Sequence, residues 1–358
     1  MSKRSFVFDP FRFFPQCHAS TLAQMPNGEF MSAWFAGSRE YGTDTAIWGA
    51  KTIDGVWQDP QVIIKHNDEA HWNPVLFWDD EKQNMLLFFK TGVRPAEWNT
   101  FWGELDWESE KPELNVNLTS LDADDDAEPE TSIHGRGPVR SGILQLSNGD
   151  WLAPASNEIV LQRATFTTHA VVIWEAFVDR SVNHGLTWKR TKFIPYDRNK
   201  FGKYGGVIQP TLWESSPGIV HMLLRSTLGY ICRSDSDDYG RTWSDVYLTD
   251  LPNNNSGVDL VRTLDDVLVL CYNPVSEDWG PRTPISIVTS MDNGKSWSEP
   301  ADLESGPGSF SYPFLILRDK RSIALTYTWN RTRIAFGKFA MNKDGKWNIK
   351  TAINAQYV

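Results

Sequence analysis

Cysteine is scarce in this chain of 358 residues: there are three, Cys17, Cys232 and Cys271. Their number is odd and their spacing is neither paired nor metal-like, which argues against a disulfide framework or a cysteine metal site and implies reduced thiols. No run of 18 apolar residues occurs, so no membrane-spanning helix is expected, and Met1-Ser2-Lys3-Arg4-Ser5-Phe6 opens without the apolar core of a secretory leader. The expectation is a soluble, cytoplasmic protein. Basic charge is in deficit, 35 Lys and Arg against 45 Asp and Glu for a net charge of −10. That balance excludes a nucleic-acid partner of the usual kind, because phosphates demand a basic surface. It leaves room for a small acidic ligand, since a local arginine cluster can hold an anion against an unfavourable global field. No linker interrupts the chain, so one domain over residues 1–358 is expected.

What the chain has in excess is tryptophan, 17 residues within an aromatic content of 13%. Several sit in a phrase that recurs: Ser236-Asp237-Asp238-Tyr239-Gly240-Arg241-Thr242-Trp243 returns as Ser290-Met291-Asp292-Asn293-Gly294-Lys295-Ser296-Trp297. A weaker copy runs from Ser181 to Trp188, and worn copies lie at Asp54-Gly55-Val56-Trp57 and Asp344-Gly345-Lys346-Trp347. Each reads as a hairpin turn: Ser and Asp side chains bond nearby backbone N–H groups, Gly takes positive φ, and Trp plugs the gap between sheets. The tryptophans are 55, 54 and 50 residues apart from Trp188 onwards, and the 131 residues between Trp57 and Trp188 hold two units with insertions. Six units result, at about 17–66, 71–130, 134–196, 205–252, 254–303 and 310–350. This period predicts an all-β fold, a six-bladed β-propeller of four antiparallel strands per blade. A β-sandwich, the competing fold, needs no fixed period.

Within each unit, strands A to D run from the inside outwards, for example His18–Met25, Glu29–Phe35, Thr45–Thr52 and Trp57–Ile64. The acidic stretch Leu121–Glu128 reads as a solvated loop, because it lacks the Gly a calcium loop needs. The repeated turns join C to D and mark one rim. The links from D to A and the loops from B to C lie on the other rim, where binding groups collect. That rule places His18, Asp44, Trp72, Asn73, His134, Arg136, Arg140 and Glu158 around one mouth, together with Gln209, Arg225, Asn255, Arg282, Tyr312 and Arg331. Arginines gathered at a mouth fit bidentate recognition of a carboxylate, and with Trp and Asn they point to an acidic sugar. A blade-to-blade salt bridge is the alternative for any one of them, Arg136 included.

The phrase Ser-x-Asp-x-Gly-x-Thr-Trp resembles the Asp box of the sialidase (neuraminidase) superfamily, the BNR repeat, and the layout is similar from about residue 17 to 347. The resemblance implies a glycosidase on the propeller fold. Arg225, in Met222-Leu223-Leu224-Arg225-Ser226, and Arg282, in Gly280-Pro281-Arg282-Thr283, match two carboxylate-binding arginines of that family. Tyr312, in Phe310-Ser311-Tyr312-Pro313, is similar to the catalytic tyrosine, and Asp44 to the acid/base aspartate. Three positions depart from the pattern. Cys17-His18-Ala19-Ser20 stands where the family has Arg-Ile-Pro, Gln209 stands for the glutamate that partners the tyrosine, and Thr328 follows Tyr327 where a further Glu is expected. Glutamine cannot take a proton from a phenol.

Three functions follow as expectations. An exo-hydrolase releasing a terminal acidic sugar, sialic acid or a uronic acid, would use Tyr312 as nucleophile and Asp44 as acid and base, with His18 or His134 activating the tyrosine. A lyase cleaving a uronate linkage by β-elimination would use His18, His134, Tyr312 and the arginines. A non-catalytic glycan-binding propeller is the third. None of them calls for a metal or a cofactor.

Overall fold

The computed structural model describes residues 3–109, 113–120, 134–163 and 171–340. The acidic stretch 121–128 and the copy of the phrase at 344–347 lie outside the described residues. The described chain is almost entirely antiparallel strand. One sheet orders Gln16–Gln24, Phe30–Gly37, Ala46–Ile53 and Val56–Trp57, with Gln61–Ile64 also on Ala46–Ile53. A second orders His71–Asp79, Asn84–Thr91, Asn99–Asp106 and Glu113–Ser120. Asp259–Arg262, Leu268–Tyr272, Ile285–Ser290 and Ala301–Glu304 form another.

Two findings differ from the sequence reading. The expected third and fourth units share one eight-stranded sheet, because Val171–Ser181 and Gly205–Ser216 meet in a short parallel pairing, Ile173 to Gly205 and Trp174 to Gly206. That pairing is possible because Gly206 lets its backbone approach Trp174 closely, where a Cβ would lie 2.4 Å from the Trp174 carbonyl oxygen. The other concerns the last unit, Phe310–Asp319, Ser322–Trp329 and Arg333–Ala340. Its fourth strand is Lys3–Phe6 from the opposite end of the chain, paired with Arg333–Ala340. A four-residue strand with no hairpin partner of its own carries no local pattern, so only tertiary pairing reveals it.

The second strands of the sheets are covered on both faces, as their apolar runs require. Met85 to Phe89 and Met222 to Leu224 are buried throughout. Trp34, Trp151 and Trp213 are among the largest fully buried side chains.

The repeated turns close as their sequence dictates. Ser236 Oγ accepts the Gly240 N–H, Asp238 Oδ1 accepts the N–H groups of Arg241 and Thr242, and Trp243 Nε1 donates to the Gly240 carbonyl. Ser290, Asp292 and Gly294 repeat the arrangement, and in the weaker copy Asn183 serves in place of Asp. The tryptophans are not equivalent plugs. Trp188 is 4% exposed, whereas Trp243, Trp297 and Trp57 are only partly buried.

The first strands of four groups share a distortion. A register shift falls between His18 and Thr21, Trp72 and Val75, Ile208 and Thr211, and Ser311 and Phe314. Inside each shift sits a non-glycine residue at positive φ: Ala19 at 53°, Asn73 at 41°, Gln209 at 53° and Tyr312 at 57°. Three of these precede proline, in Asn73-Pro74, Gln209-Pro210 and Tyr312-Pro313. Proline cannot donate to a ladder, so an inner strand accommodates it only at a bulge. Left-handed backbone at a bulky residue costs about 1 kcal/mol or more, and such strain concentrates at functional sites.

Candidate functional site

The bulges at Gln209 and Tyr312 deliver those side chains to one place, and the bulge after His18 sets its ring beside them. Tyr312, 9% exposed, receives a hydrogen bond at its Oη from Arg225 Nη1 at 2.8 Å. The same Nη1 donates to Gln209 Oε1 at 3.1 Å, and Arg225 Nε donates to Asn255 Oδ1 at 2.7 Å. Asn255 is itself at positive φ, 57°, and its Nδ2 donates to Asp278 Oδ1 at 2.6 Å. Arg225 is therefore fixed in plane by three neighbours from three segments of chain. Its guanidinium also lies 5.1 Å from the Trp174 ring and 5.6 Å from that of Trp279, which is 65% exposed.

Two further arginines face the tyrosine ring, Arg282 at 5.3 Å and Arg140 at 5.1 Å from its centroid. Arg282 Nη1 also contacts Ser311 Oγ at 3.3 Å. Arg140 donates to the Pro313 carbonyl, while its Nε and Nη1 have no partner among the described residues. Burial by itself pushes the Tyr312 phenol up, but the charges of Arg225, Arg282 and Arg140 outweigh it, against an opposing contribution from Glu40, and hold it below the ordinary tyrosine value.

His18 completes this wall, with its ring centroid 4.2 Å from that of Tyr312. Its Nδ1 bonds Thr328 Oγ1 at 2.9 Å, and Nε2 is buried without a partner among the described residues. Thr328, which stands where the resemblance led us to expect Glu, thus anchors the imidazole. Burial, reinforced by Arg331, Arg282, Arg140 and Arg225, drives His18 far below the usual histidine value, so it is neutral. A neutral imidazole that resists protonation is a poor base for a phenol, which weighs against the activating role given to His18 above.

The remaining candidates divide. Arg331 reaches the same field but is paired with Glu40, Nη1 to Oε2 at 2.5 Å. Trp72 is buried, donating from Nε1 to the Gly92 carbonyl, and it packs on Trp98, Phe35 and Tyr41. Asn73 is buried at its bulge. His134 sits beside Trp98, its Nδ1 3.3 Å from that carbonyl oxygen. Asp44 lies on an exposed loop, where its carboxylate accepts from the Ser38 N–H at 2.8 Å and Ser38 Oγ at 2.9 Å. Slight burial raises Asp44, but the Ser38 bonds and the Lys65 charge prevail and hold it below the usual aspartate value, the wrong direction for a proton donor at neutral pH. Arg136 is taken up elsewhere. It is 2% exposed and forms a salt bridge from Nε to Asp179 Oδ1 at 2.7 Å, with Asp179 wholly buried. The structure makes it an internal tie rather than part of the cup.

Sequence reasoning left one member out of the cup. Trp279, in a loop at a positive φ of 57°, has an irregular setting that no strand period marks.

The sequence matches the BNR repeat-like domain over residues 28–324. The chain belongs to that family. Among solved structures it is similar to the Hadza microbial sialidase Hz136, at 13% identity and a TM-score of 0.73 over 94% of this chain and 68% of the other. A protein of unknown function from Dyadobacter fermentans is similar at 15% identity and a TM-score of 0.73, over 94% of this chain and 97% of the other. The NanB sialidase from Streptococcus pneumoniae is similar at 12% identity and a TM-score of 0.66, over 93% and 70%. At such identities the likeness is one of fold. A search of curated proteins finds no significant match. No helix among the described residues is long and apolar enough to cross a membrane, and all three cysteines are free and buried.

Proposed function

We propose that this BNR repeat-like chain is a six-bladed propeller and an exo-glycoside hydrolase that releases a terminal acidic sugar, sialic acid or a uronic acid. Support for six blades comes from the two antiparallel halves of the eight-stranded sheet, which count as two, and from Lys3–Phe6, which would fasten the ring. Packing of Gln16–Gln24 against both His71–Asp79 and Phe310–Asp319 fits neighbouring innermost strands around an axis.

The observation that carries the activity is the 2.8 Å hydrogen bond from Arg225 to the Tyr312 oxygen, inside a ring of arginines. In this reading Arg225 and Arg282 hold the substrate carboxylate, while Arg225 Nη1 keeps its bond to the Tyr312 oxygen. The phenolate then attacks the anomeric carbon. Gln209 need not act as a base, because the arginine charges that hold the phenol below its ordinary value ease the loss of its proton to water. The sialidase neighbours act on sugars of this kind, which adds to the reading. Turnover of aryl glycosides of N-acetylneuraminic acid and of glucuronic acid, with Tyr312→Phe as control, tests it. Release of the aryl alcohol by the parent and not by the variant is expected. Equal release by both would refute the role of Tyr312.

A second reading rests on His18, whose unpartnered Nε2 lies beside the tyrosine. The Tyr312 phenolate beside a carboxylate clamp would also carry out β-elimination on a uronate: it takes the proton next to the carboxyl and, as the phenol, returns it to the leaving oxygen, while the neutral His18 imidazole holds the substrate. Absorbance of an unsaturated product from uronic-acid polysaccharides would establish this route, and reducing sugar released without it would exclude it.

A further inference from the structure

A cup that attacks an anomeric carbon also needs a proton donor for the departing oxygen, and the exposed, ionised Asp44 is badly suited to the task. The wall opposite offers another carboxyl. Strand Trp151–Gln162 pairs with Val171–Ser181 so that Glu158 lies directly across from Trp174. Cross-strand partners project from the same face of a sheet. On that face the Trp174 ring covers the Arg225 guanidinium at 5.1 Å, so Glu158 also faces Arg225. Two residues earlier on the same face, as the strand period requires, Ser156 Oγ accepts the Gln209 N–H at 3.3 Å. Glu158 thus lies one strand repeat along from the residue that meets Gln209.

We propose that Glu158 is the general acid of this site, donating its proton to the leaving oxygen as Tyr312 attacks and then accepting a proton from water. This rests on the hydrolase reading. In the first step the Tyr312 oxygen bonds to the anomeric carbon, the bond to the leaving oxygen breaks, and that oxygen takes the Glu158 proton. In the second, water adds to the same carbon and passes a proton to the Glu158 carboxylate. Tyr312 departs as the phenolate that Arg225 stabilises.

The surroundings suit both steps. Burial favours the protonated form of Glu158, and only partly opposing it are the Arg225 charge and a hydrogen bond from the Trp174 side chain. The carboxyl is therefore held above the usual glutamate value, the direction a proton donor needs. The charged or titratable groups that face it are Arg225, from strand Ile219–Ser226, and Tyr41, whose own ionisation is pushed up to about 12 by burial and by Glu40, Glu158 and Tyr312. Trp174 of the largely apolar partner strand and a neutral Gln209 complete the wall. A bland reading, a structural carboxyl holding Trp174, predicts no influence on proton transfer.

The test compares Glu158→Gln, Asp44→Asn and the parent on 4-methylumbelliferyl and methyl glycosides of N-acetylneuraminic and glucuronic acid. Methylumbelliferone leaves readily without a proton, whereas methanol does not. Loss of a general acid costs about 10²- to 10⁴-fold. In kcat/KM, which reports the first bond broken, Glu158→Gln should lose that factor on the methyl glycoside, lose far less on the aryl one, and abolish the fall in rate at alkaline pH. If Glu158→Gln keeps the parent's alkaline limb and slows both substrates alike, or if Asp44→Asn shows the leaving-group signature instead, the role of Glu158 is overturned while the hydrolase stands. Absence of turnover by the parent on every glycoside overturns the hydrolase reading, and this role with it.

Discussion

Arg136→Met asks whether a mouth arginine serves the ligand or the frame. In the structure it neutralises Asp179, which is 0% exposed and is otherwise met by the Gly137 N–H at 2.5 Å. The guanidinium also reaches the Trp188 carbonyl at 3.4 Å, tying this segment to the strand that follows the third turn. Methionine fills a similar volume but strands a buried carboxylate, which costs about 3 to 5 kcal/mol. Unfolding entropy of about 2.1 cal/mol/K per residue converts this, over 358 residues, to a fall of about 4 to 7 °C in Tm. Replacing both partners, Arg136→Met with Asp179→Leu, removes the stranded charge and should restore most of the loss. Calorimetric melting of the two variants beside the parent, with turnover of an acidic aryl glycoside, gives the answer. A single variant that melts with the parent yet no longer handles substrate would refute the internal-tie assignment and return Arg136 to the carboxylate clamp.

Trp188→Ala should destabilise by about 3 to 5 kcal/mol as a fully buried aromatic, and Trp243→Ala by clearly less, because the latter ring is only partly buried. Equal urea midpoints would contradict the difference in burial. Ultraviolet titration should show one tyrosine ionising below the ordinary range, absent from Tyr312→Phe and shifted upwards in Arg225→Met. Stabilisation from that depressed value is full above the ordinary tyrosine value and fades as pH falls through the folded one, so parent and Tyr312→Phe should differ most at alkaline pH. Burial lowers His71 to about 4, against its own bond to the Glu69 carbonyl. The unfolded chain then binds the extra proton first, and stability falls by up to about 1.4 kcal/mol per pH unit between the ordinary histidine value and about 4. A parent whose denaturation midpoint is flat across that window would show His71 to be freely protonated.

Much of the frame is legible in the residues alone. Ser, Asp, Gly and Trp at fixed offsets make each turn by local hydrogen bonds, and the bonds at Asp238 and Asp292 need nothing from afar. Strands Tyr230–Ser236 and Ile285–Ser290 fall where turn signals bound them. Arg225, Gln209, Asn255, Arg282, His18 and Tyr312 could be gathered from a topological rule, because strand order fixes which end of each strand faces which rim. A local clue marks Gln209 and Tyr312, as it does Asn73: an Asn-Pro, Gln-Pro or Tyr-Pro pair inside an inner strand demands a bulge, and the bulge aims the side chain.

Charge partners were out of reach. Arg136 and Arg282 look alike in sequence, but one meets Asp179 and the other faces Tyr312, across separations that no local pattern spans. The state of His18 likewise depends on burial and on four arginines scattered from residue 140 to 331. Local composition therefore determined the turns, the strand period and the family of folds, since those depend on neighbours along the chain. Which arginines are spent on carboxylates, and which carboxyl is held above its usual value, were decided only by packing, because electrostatic energy depends on distance and burial in three dimensions.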